Sequence, residues 1–263
     1  MRTHHLNCGT LTVDPSTDTD AASAVCHCLL IETDETLVLL ETGLGMINVR
    51  RPQETLGDFV DWAGPKLDPE ETAVRQVERL GFAPSDVGHV ILTHLHIDHT
   101  GGLPDFPHAA VHVHEVEHRL ATSTAVSQYP QAHFAHGPNW VVYPDGGERW
   151  RGFDGVRQFD GLPPELLMVP MPGHTHGHVG VAIDQGDRWL LHAGDTYYSH
   201  VEIETPSKPA PPVLEELQRS VEDDRAKRLA GVERLRAIAG DADLTIVSAH
   251  DPWELDRAVR SPS

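Results

Sequence analysis

The sequence predicts an α/β domain in which two β-sheets pack together and carry helices on their outer faces. Short apolar runs separated by turn residues recur along most of the chain, the pattern of many short strands. A helix–strand segment interrupts them mid-chain, and a helix–strand–helix segment closes the C-terminal part. A length of 263 residues suffices for one large core, so the expectation is a single domain over 1–263.

In chain order, AVCHCLLIE (24–32) and LVLLETG (37–43) are strands separated by a polar TDET turn. A helix is expected at about 69–80. Asp68 is its N-cap, Pro69 fits the first turn, and Ala73, Val74, Val77 and Leu80 recur at helical spacing before Gly81. HVILT (89–93) reads as a buried strand, AAVHVH (109–114) as another, and EVEHRLATS (115–123) as the helix after it. From about 124 to 164 the pattern weakens into aromatic- and Pro/Gly-rich sequence, which predicts a substrate-covering insertion around 104–165. Strands resume at LLMVP (166–170), HVGVAID (178–184) and RWLLHAG (188–194). TPSKPAPPV (205–213) reads as a surface connection rather than a hinge. A long amphipathic helix is predicted over 213–239, with Leu229, Val232, Leu235 and Ile238 as its apolar stripe, followed by the strand LTIVSAH (244–250) and a helix in DPWELDRAVR.

Composition narrows the function. A formal charge of −20 argues against nucleic acid, which demands a basic footprint, and against anionic membrane surfaces. No stretch approaches the roughly twenty apolar residues of a membrane helix. MRTHHLNCGT carries no basic-then-apolar leader, so a cytoplasmic protein is expected. Cys8, Cys26 and Cys28 read as small buried hydrophobes in a reducing compartment; Cys26 and Cys28 share a strand face and suit a disulfide poorly. The expected partner is a small molecule. Oligomeric state is not set by the sequence, and a homodimer stays open.

The outlier is histidine, present nineteen times. THLHIDHTGG (93–102) places His94, His96, Asp98 and His99 within six positions after a buried strand. His94 and His96, two apart in extended chain, point the same way and can grip one metal ion. Asp98 and His99, where the chain turns, aim elsewhere and can grip a second. Gly101 and Gly102 let the backbone bend behind them.

HLHIDH resembles the HxHxDH signature of the metallo-β-lactamase superfamily. That resemblance implies an αβ/βα four-layer sandwich of two mixed sheets with metals at one edge. PGHTHGH (172–178), HAGD (192–195) and SAHD (248–251) resemble the later motifs of the family in the right order. The resemblance implies that His174 completes the first metal site with His94 and His96, that His250 completes the second with Asp98 and His99, and that Asp195 bridges the two. Imidazole with carboxylate suits two Zn2+ ions, with iron or manganese as substitutes. A hydroxide held between such ions is a nucleophile at neutral pH. One departure stands out. The family commonly has Asp-Thr-Gly in its first motif, whereas this chain has Glu41-Thr42-Gly43, which puts the support of a ligand histidine in doubt.

Within the superfamily, Asp195 argues against a true β-lactamase, His96 against a flavodiiron protein, and the charge against a nuclease. Carbonyl hydrolases remain, and a lactone or other carboxylic ester is the expected substrate. The catalytic candidates are Asp98 and Tyr198. Tyr198 lies three residues after Asp195, where acyl-homoserine lactonases place a tyrosine that bonds the substrate carbonyl; it either does this or packs at a strand end. Phe106, Tyr129, Phe134, Trp140 and Trp150 either line a substrate pocket or pack beneath the insertion. Two alternatives are a hydroxyacylglutathione-type thioesterase, which the lack of a basic cluster disfavours, and an iron enzyme like persulfide dioxygenases. His178 is expected to support the site structurally. His112, His114 and His118 are scattered by a strand–helix junction and carry no further metal.

Overall fold

Successive side chains of a strand face opposite ways, and in this protein both directions lead into apolar layers. In the computed structural model, which describes residues 1–12, 23–123 and 129–260, the chain first forms β1 (Arg2–Thr12), β2 (Ser23–Glu32), β3 (Leu37–Leu40), β4 (Val87–Ile91), β5 (Ala110–His114) and β6 (Asn139–Tyr143). It then forms β7 (Glu148–Trp150), β8 (Phe153–Gln158), β9 (Leu166–Pro170), β10 (Val179–Asp184), β11 (Trp189–His192) and β12 (Leu244–Val247). Among the described residues these make two six-stranded sheets, ordered β1-β2-β3-β4-β5-β6 and β12-β11-β10-β9-β8-β7. Both are mixed. The first is antiparallel from β1 to β3 and parallel from β3 to β6. The second is antiparallel except for the parallel pair β11–β12.

Leu29 and Ile31 of β2, Val38 and Leu40 of β3, and Ile91 of β4 meet Val181 and Ile183 of β10 between the sheets. Their neighbours Leu30, Leu39 and Val90 face outward, where Ala73 and Val77 of the helix Ala73–Arg79 cover them. On the far side, Ala182 and Leu191 face Val232 and Leu235 of the helix Arg225–Ile238. Three apolar layers therefore separate helix, sheet, sheet and helix, which is the predicted four-layer αβ/βα sandwich. All three cysteines are free and buried in this interior. No helix is long and apolar enough to cross a membrane among the described residues.

Several local expectations need correcting. β1, eleven residues long, has no counterpart in the sequence reading, because His4, His5 and Asn7 interrupt its apolar pattern. Three short helices at Met46–Arg50, Pro52–Leu56 and Phe59–Ala63 were also unanticipated. The helix predicted at 69–80 starts as a 3-10 turn at Pro69–Glu71, where the Asp68 carboxylate accepts from the Glu70 N–H at 2.9 Å, and restarts at Ala73. Within the stretch 104–165, the weakly patterned sequence supplies β6 and β7, the edge strands of the two sheets, and β8 next to β7; residues 124–128 of it lie outside the described residues.

The helix predicted over 213–239 is two helices, Pro212–Val221 and Arg225–Ile238. The apolar spacing lapses over the mostly polar residues 222–228, and non-local bonds fix the stop of the first helix there. The Asp223 and Asp224 N–H groups donate to the carbonyls of His174 (2.9 Å) and Gly173 (2.8 Å). The Asp224 side chain then accepts from the Lys227 N–H at 3.1 Å and caps the second helix. The register this sets leaves Leu229 41% exposed while Leu235 is fully buried. Leu235→Ala should therefore cost about 2–5 kcal/mol in urea unfolding, and Leu229→Ala should stay within about 0.5 kcal/mol. Equal losses would contradict this register.

Candidate metal centre

Every predicted site residue leaves the sandwich at one end of the sheets. Glu41 follows β3, and His94 to His99 follow β4. His174 sits between β9 and β10, Asp195 follows β11, and His250 follows β12. Turn chemistry allows this. Glu41 itself adopts a left-handed φ of 63°, a strained conformation for a residue with a side chain. Gly43 is left-handed too, at φ 59°, and a Cβ there would lie 2.3 Å from the Cys8 carbonyl oxygen. Backbone bonds lock the ends of the two sheets together: Val179 N–H donates to Thr93 O at 3.0 Å and His27 N–H to Ala249 O at 2.8 Å.

The seven predicted ligands come together. His94, His96 and His174 form one group whose donor atoms all lie within 4.8 Å of one another, and Asp98, His99 and His250 form a second on the same measure. Asp195 lies between them. Its Oδ2 is 3.3 Å from His174 Nε2 and 3.0 Å from His250 Nε2, and its Oδ1 is 3.4 Å from His99 Nε2. His96 Nδ1 faces His174 Nε2 at 3.0 Å. All seven are buried except Asp98, which is partly open.

Outer contacts set which ring nitrogens face inward. His94 Nδ1 meets Thr93 Oγ1 at 3.0 Å, and His250 Nδ1 donates to Val25 O at 2.9 Å. His99 Nδ1 donates to Glu41 Oε2 at 3.1 Å, while Glu41 Oε1 accepts from the Thr93 N–H at 2.8 Å. The longer carboxylate of Glu41 thus braces a ligand histidine and the strand end before His94 together. His178 braces Asp195: its Nδ1 donates to Met171 O, and its Nε2 accepts from the Asp195 N–H, each at 2.9 Å.

The donor chemistry fits divalent cations. Among the described residues His94 Nε2, His99 Nε2 and Asp195 Oδ1 are buried with no hydrogen-bond partner, although buried polar atoms almost always have one. Burial holds His94 and His174 well below the usual imidazole range and brings His96 down to about 3, so these rings keep the lone pairs a metal needs. Around His99 and His250 burial acts in the same direction, but Asp195, Glu41 and Asp98 outweigh it for His99, and Asp195 and Asp98 for His250. Both pKa values are raised. Asp195 is held low despite burial, because the imidazoles of His250, His99, His174 and His94 surround it. The surroundings call for positive charge at the centre of the cluster.

The Tyr198 hydroxyl also reaches the centre, donating to Asp195 Oδ2 at 3.1 Å. Glu202 Oε1 holds that turn by accepting from the N–H groups of Tyr198 (3.0 Å) and Ser199 (3.2 Å). A cavity of about 530 Å³ opens onto Asp98, Asp195, Tyr198 and His250. Its apolar wall is Leu11, Leu56, Phe59, Trp62, Leu217 and Val221. Of the aromatics considered for a pocket, Phe106 is buried in the outer core, Trp140 packs on Phe134 and His118, and Trp150 packs on Trp189. Only Tyr129 approaches the cluster, with its ring 5.7 Å from that of His96. The wall escaped the sequence reading because its parts come from three distant segments, β1, residues 56–62 and the helix Pro212–Val221, and Glu202 because a lone acidic residue carries no signal. His112 bonds Tyr143 at 2.7 Å and His89 at 2.9 Å, away from the cluster.

Comparisons with known proteins agree with this geometry. Residues 24–250 match the model of the Metallo-beta-lactamase superfamily. A probable metallo-hydrolase of Mycobacterium tuberculosis is 38% identical over 261 residues, covering 96% of this chain and 81% of that protein. An N-acyl homoserine lactonase of Rhizobium radiobacter is 28% identical over 216 residues, 76% of this chain and 72% of that one. A crystal structure of an N-acyl homoserine lactone hydrolase, with N-hexanoyl-L-homoserine bound at its catalytic metal centre, superposes with a TM-score of 0.72 at 21% identity, covering 97% of this chain and 95% of that one. At that identity the likeness speaks for the fold.

The Glu41 contact yields a test. In Glu41→Gln an amide NH2 must face either the Thr93 N–H or His99 Nδ1. The second arrangement moves the ring proton of His99 onto the nitrogen that faces the cluster. Metal affinity in a chelator competition titration should fall about 10–100-fold, as for losing such a partner. Unchanged affinity would show that Glu41 does not orient His99.

Proposed function

Because the chain belongs to the metallo-beta-lactamase superfamily and is a metal-dependent hydrolase, we propose that it is a dinuclear zinc enzyme that opens a carboxylic ester, a lactone above all. The observation that carries this reading is the Tyr198 hydroxyl, held 3.1 Å from Asp195 Oδ2 where both line the cavity. A tyrosine at this point serves a substrate with an oxygen that becomes negative during attack.

His94, His96 and His174 would hold one ion and Asp98, His99 and His250 the other, with Asp195 shared between them. The pair would supply an ionised water at neutral pH and polarise the carbonyl. The rest falls to the chain. The apolar wall of Leu11, Leu56, Phe59, Trp62, Leu217 and Val221 receives the hydrocarbon part of the ester and excludes water from it. Tyr198 turns its hydroxyl from Asp195 to the carbonyl oxygen and donates as the tetrahedral centre forms. Asp98, the most open carboxylate of the cluster, borders the same cavity. Its carboxylate can take the proton that remains on the ionised water once it has attacked and pass it to the departing alkoxide, leaving a carboxylate and an alcohol. Relatives named N-acyl homoserine lactonase support a lactone over a thioester, as does the lack of a Lys or Arg among the described residues that line the cavity.

Elemental analysis of gently purified protein should find about two metal ions per chain, mostly zinc. One tight ion with no second under metal excess would contradict the dinuclear reading. Asp195→Ala should weaken both ions and abolish hydrolysis, so near-normal turnover with full metal content would remove the bridging role. On the best substrate from a lactone, ester and thioester panel, Tyr198→Phe should lower kcat about ten- to a thousandfold, the scale of losing one oxyanion donor. Its metal content should not change. Unaltered kinetics would show that Tyr198 only packs.

A further inference from the structure

Five histidines converge on the cluster, but they are not braced alike. His94, His99 and His250 each have an outer nitrogen hydrogen-bonded to Thr93, Glu41 or Val25. His96 Nε2 and His174 Nδ1, the outer nitrogens of the other two, are buried and have no partner among the described residues. The aim of these two rings must therefore come from the backbone that carries them. Both backbone segments end on one side chain.

That side chain is Glu117, in the first turn of the helix Glu115–Thr122 and fully buried. Its Oε1 accepts at 3.0 Å from the N–H of Leu95, the residue between His94 and His96. Its Oε2 accepts at 2.7 Å from the hydroxyl of Thr175, the residue after His174. Gly177 brings the loop against this helix so closely that a Cβ there would lie 2.4 Å from the Glu117 nitrogen. Burying a carboxylate is costly unless hydrogen bonds compensate, and here they run to the two segments that present the three-histidine group.

We propose that Glu117 is a positioning residue for that group, doing through two backbone segments what Glu41 does for His99 through one direct bond. The inference rests on the dinuclear reading above, and it predicts asymmetry. Glu117 should govern the ion held by His94, His96 and His174 and spare the ion held by Asp98, His99 and His250.

The test uses metal-free protein of three variants titrated with Co2+, following both visible absorption and bound metal, with Zn2+ retention after dialysis as a second readout. Thr175→Val removes one tether with little change of shape, Glu117→Gln keeps an acceptor for Leu95 while removing the charge, and Glu117→Ala removes both tethers. Glu117→Ala should lose about 10–100-fold in affinity at one of the two sites, the scale of removing an outer-shell partner. Thr175→Val should shift in the same direction by less, with an altered Co2+ spectrum. In both, kcat should fall more than KM changes. If Glu117→Ala does not fold, Thr175→Val and Glu117→Gln decide the matter. Affinity for both ions and a Co2+ spectrum like those of the unaltered protein would overturn the proposal, as would a loss falling equally on both ions. Failure of the dinuclear reading would look different, because the unaltered protein would then bind fewer than two ions.

Discussion

A buried polar atom must find a partner, and at one end of this sandwich the protein alone does not supply enough of them. His94 Nε2, His99 Nε2 and Asp195 Oδ1 point into a space ringed by five imidazoles and two carboxylates, and among the described residues none of them has a hydrogen-bond partner. The donors sit at distances set by the ends of strands whose other side chains fill three apolar layers. Divalent cations resolve the conflict. They would take the lone pairs that burial keeps on His94, His96 and His174, and would replace the positive charge that Asp195, Asp98 and Glu41 draw onto His99 and His250.

The fold serves this constraint by splitting the donors between two sheets. The first sheet, built from the N-terminal half, delivers Glu41 and the His94–His99 segment. The second, from the C-terminal half, delivers His174, Asp195 and His250. Neither half holds a complete set. Their ends are joined by main-chain bonds from Val179 to Thr93 and from His27 to Ala249, so the separation of the two donor sets is fixed by backbone rather than by flexible side chains. This is how a site on loops attains the rigidity that metal geometry requires. Helix ends add further bracing. The break between Pro212–Val221 and Arg225–Ile238 docks on the carbonyls of Gly173 and His174, and the first of those helices then contributes Leu217 and Val221 to the cavity wall.

What the sequence made legible follows from locality. Four donors in six positions after an apolar strand form a signal that survives without any structure, and the apolar strands themselves were read close to their observed limits. Glu117 shows the opposite case. Within EVEHRLATS it looks like one of the acidic residues on a solvated helix face, and only the packed loops reveal that its carboxylate is buried. The helix break is legible only in part, since residues 222–228 carry no large apolar side chain but the bonds from Asp223 and Asp224 to the His174 and Gly173 carbonyls that fix it are non-local. The edge strands β6 and β7, and β8 beside the second edge, were lost because sheet margins tolerate Gly, Pro and polar residues that blur the period of two. The aromatics between 104 and 150 suggested a pocket by type, yet most of them pack into layers, while Phe59 and Trp62 take the wall.

The central claim is that the cluster holds two ions at two defined places sharing Asp195. Anomalous X-ray diffraction at the zinc edge, on crystals of zinc-loaded protein, tests it most directly. The account predicts two peaks: one among His94, His96 and His174, the other among Asp98, His99 and His250, each within bonding distance of an Asp195 oxygen. A single peak, or a second peak outside these side chains, would contradict it.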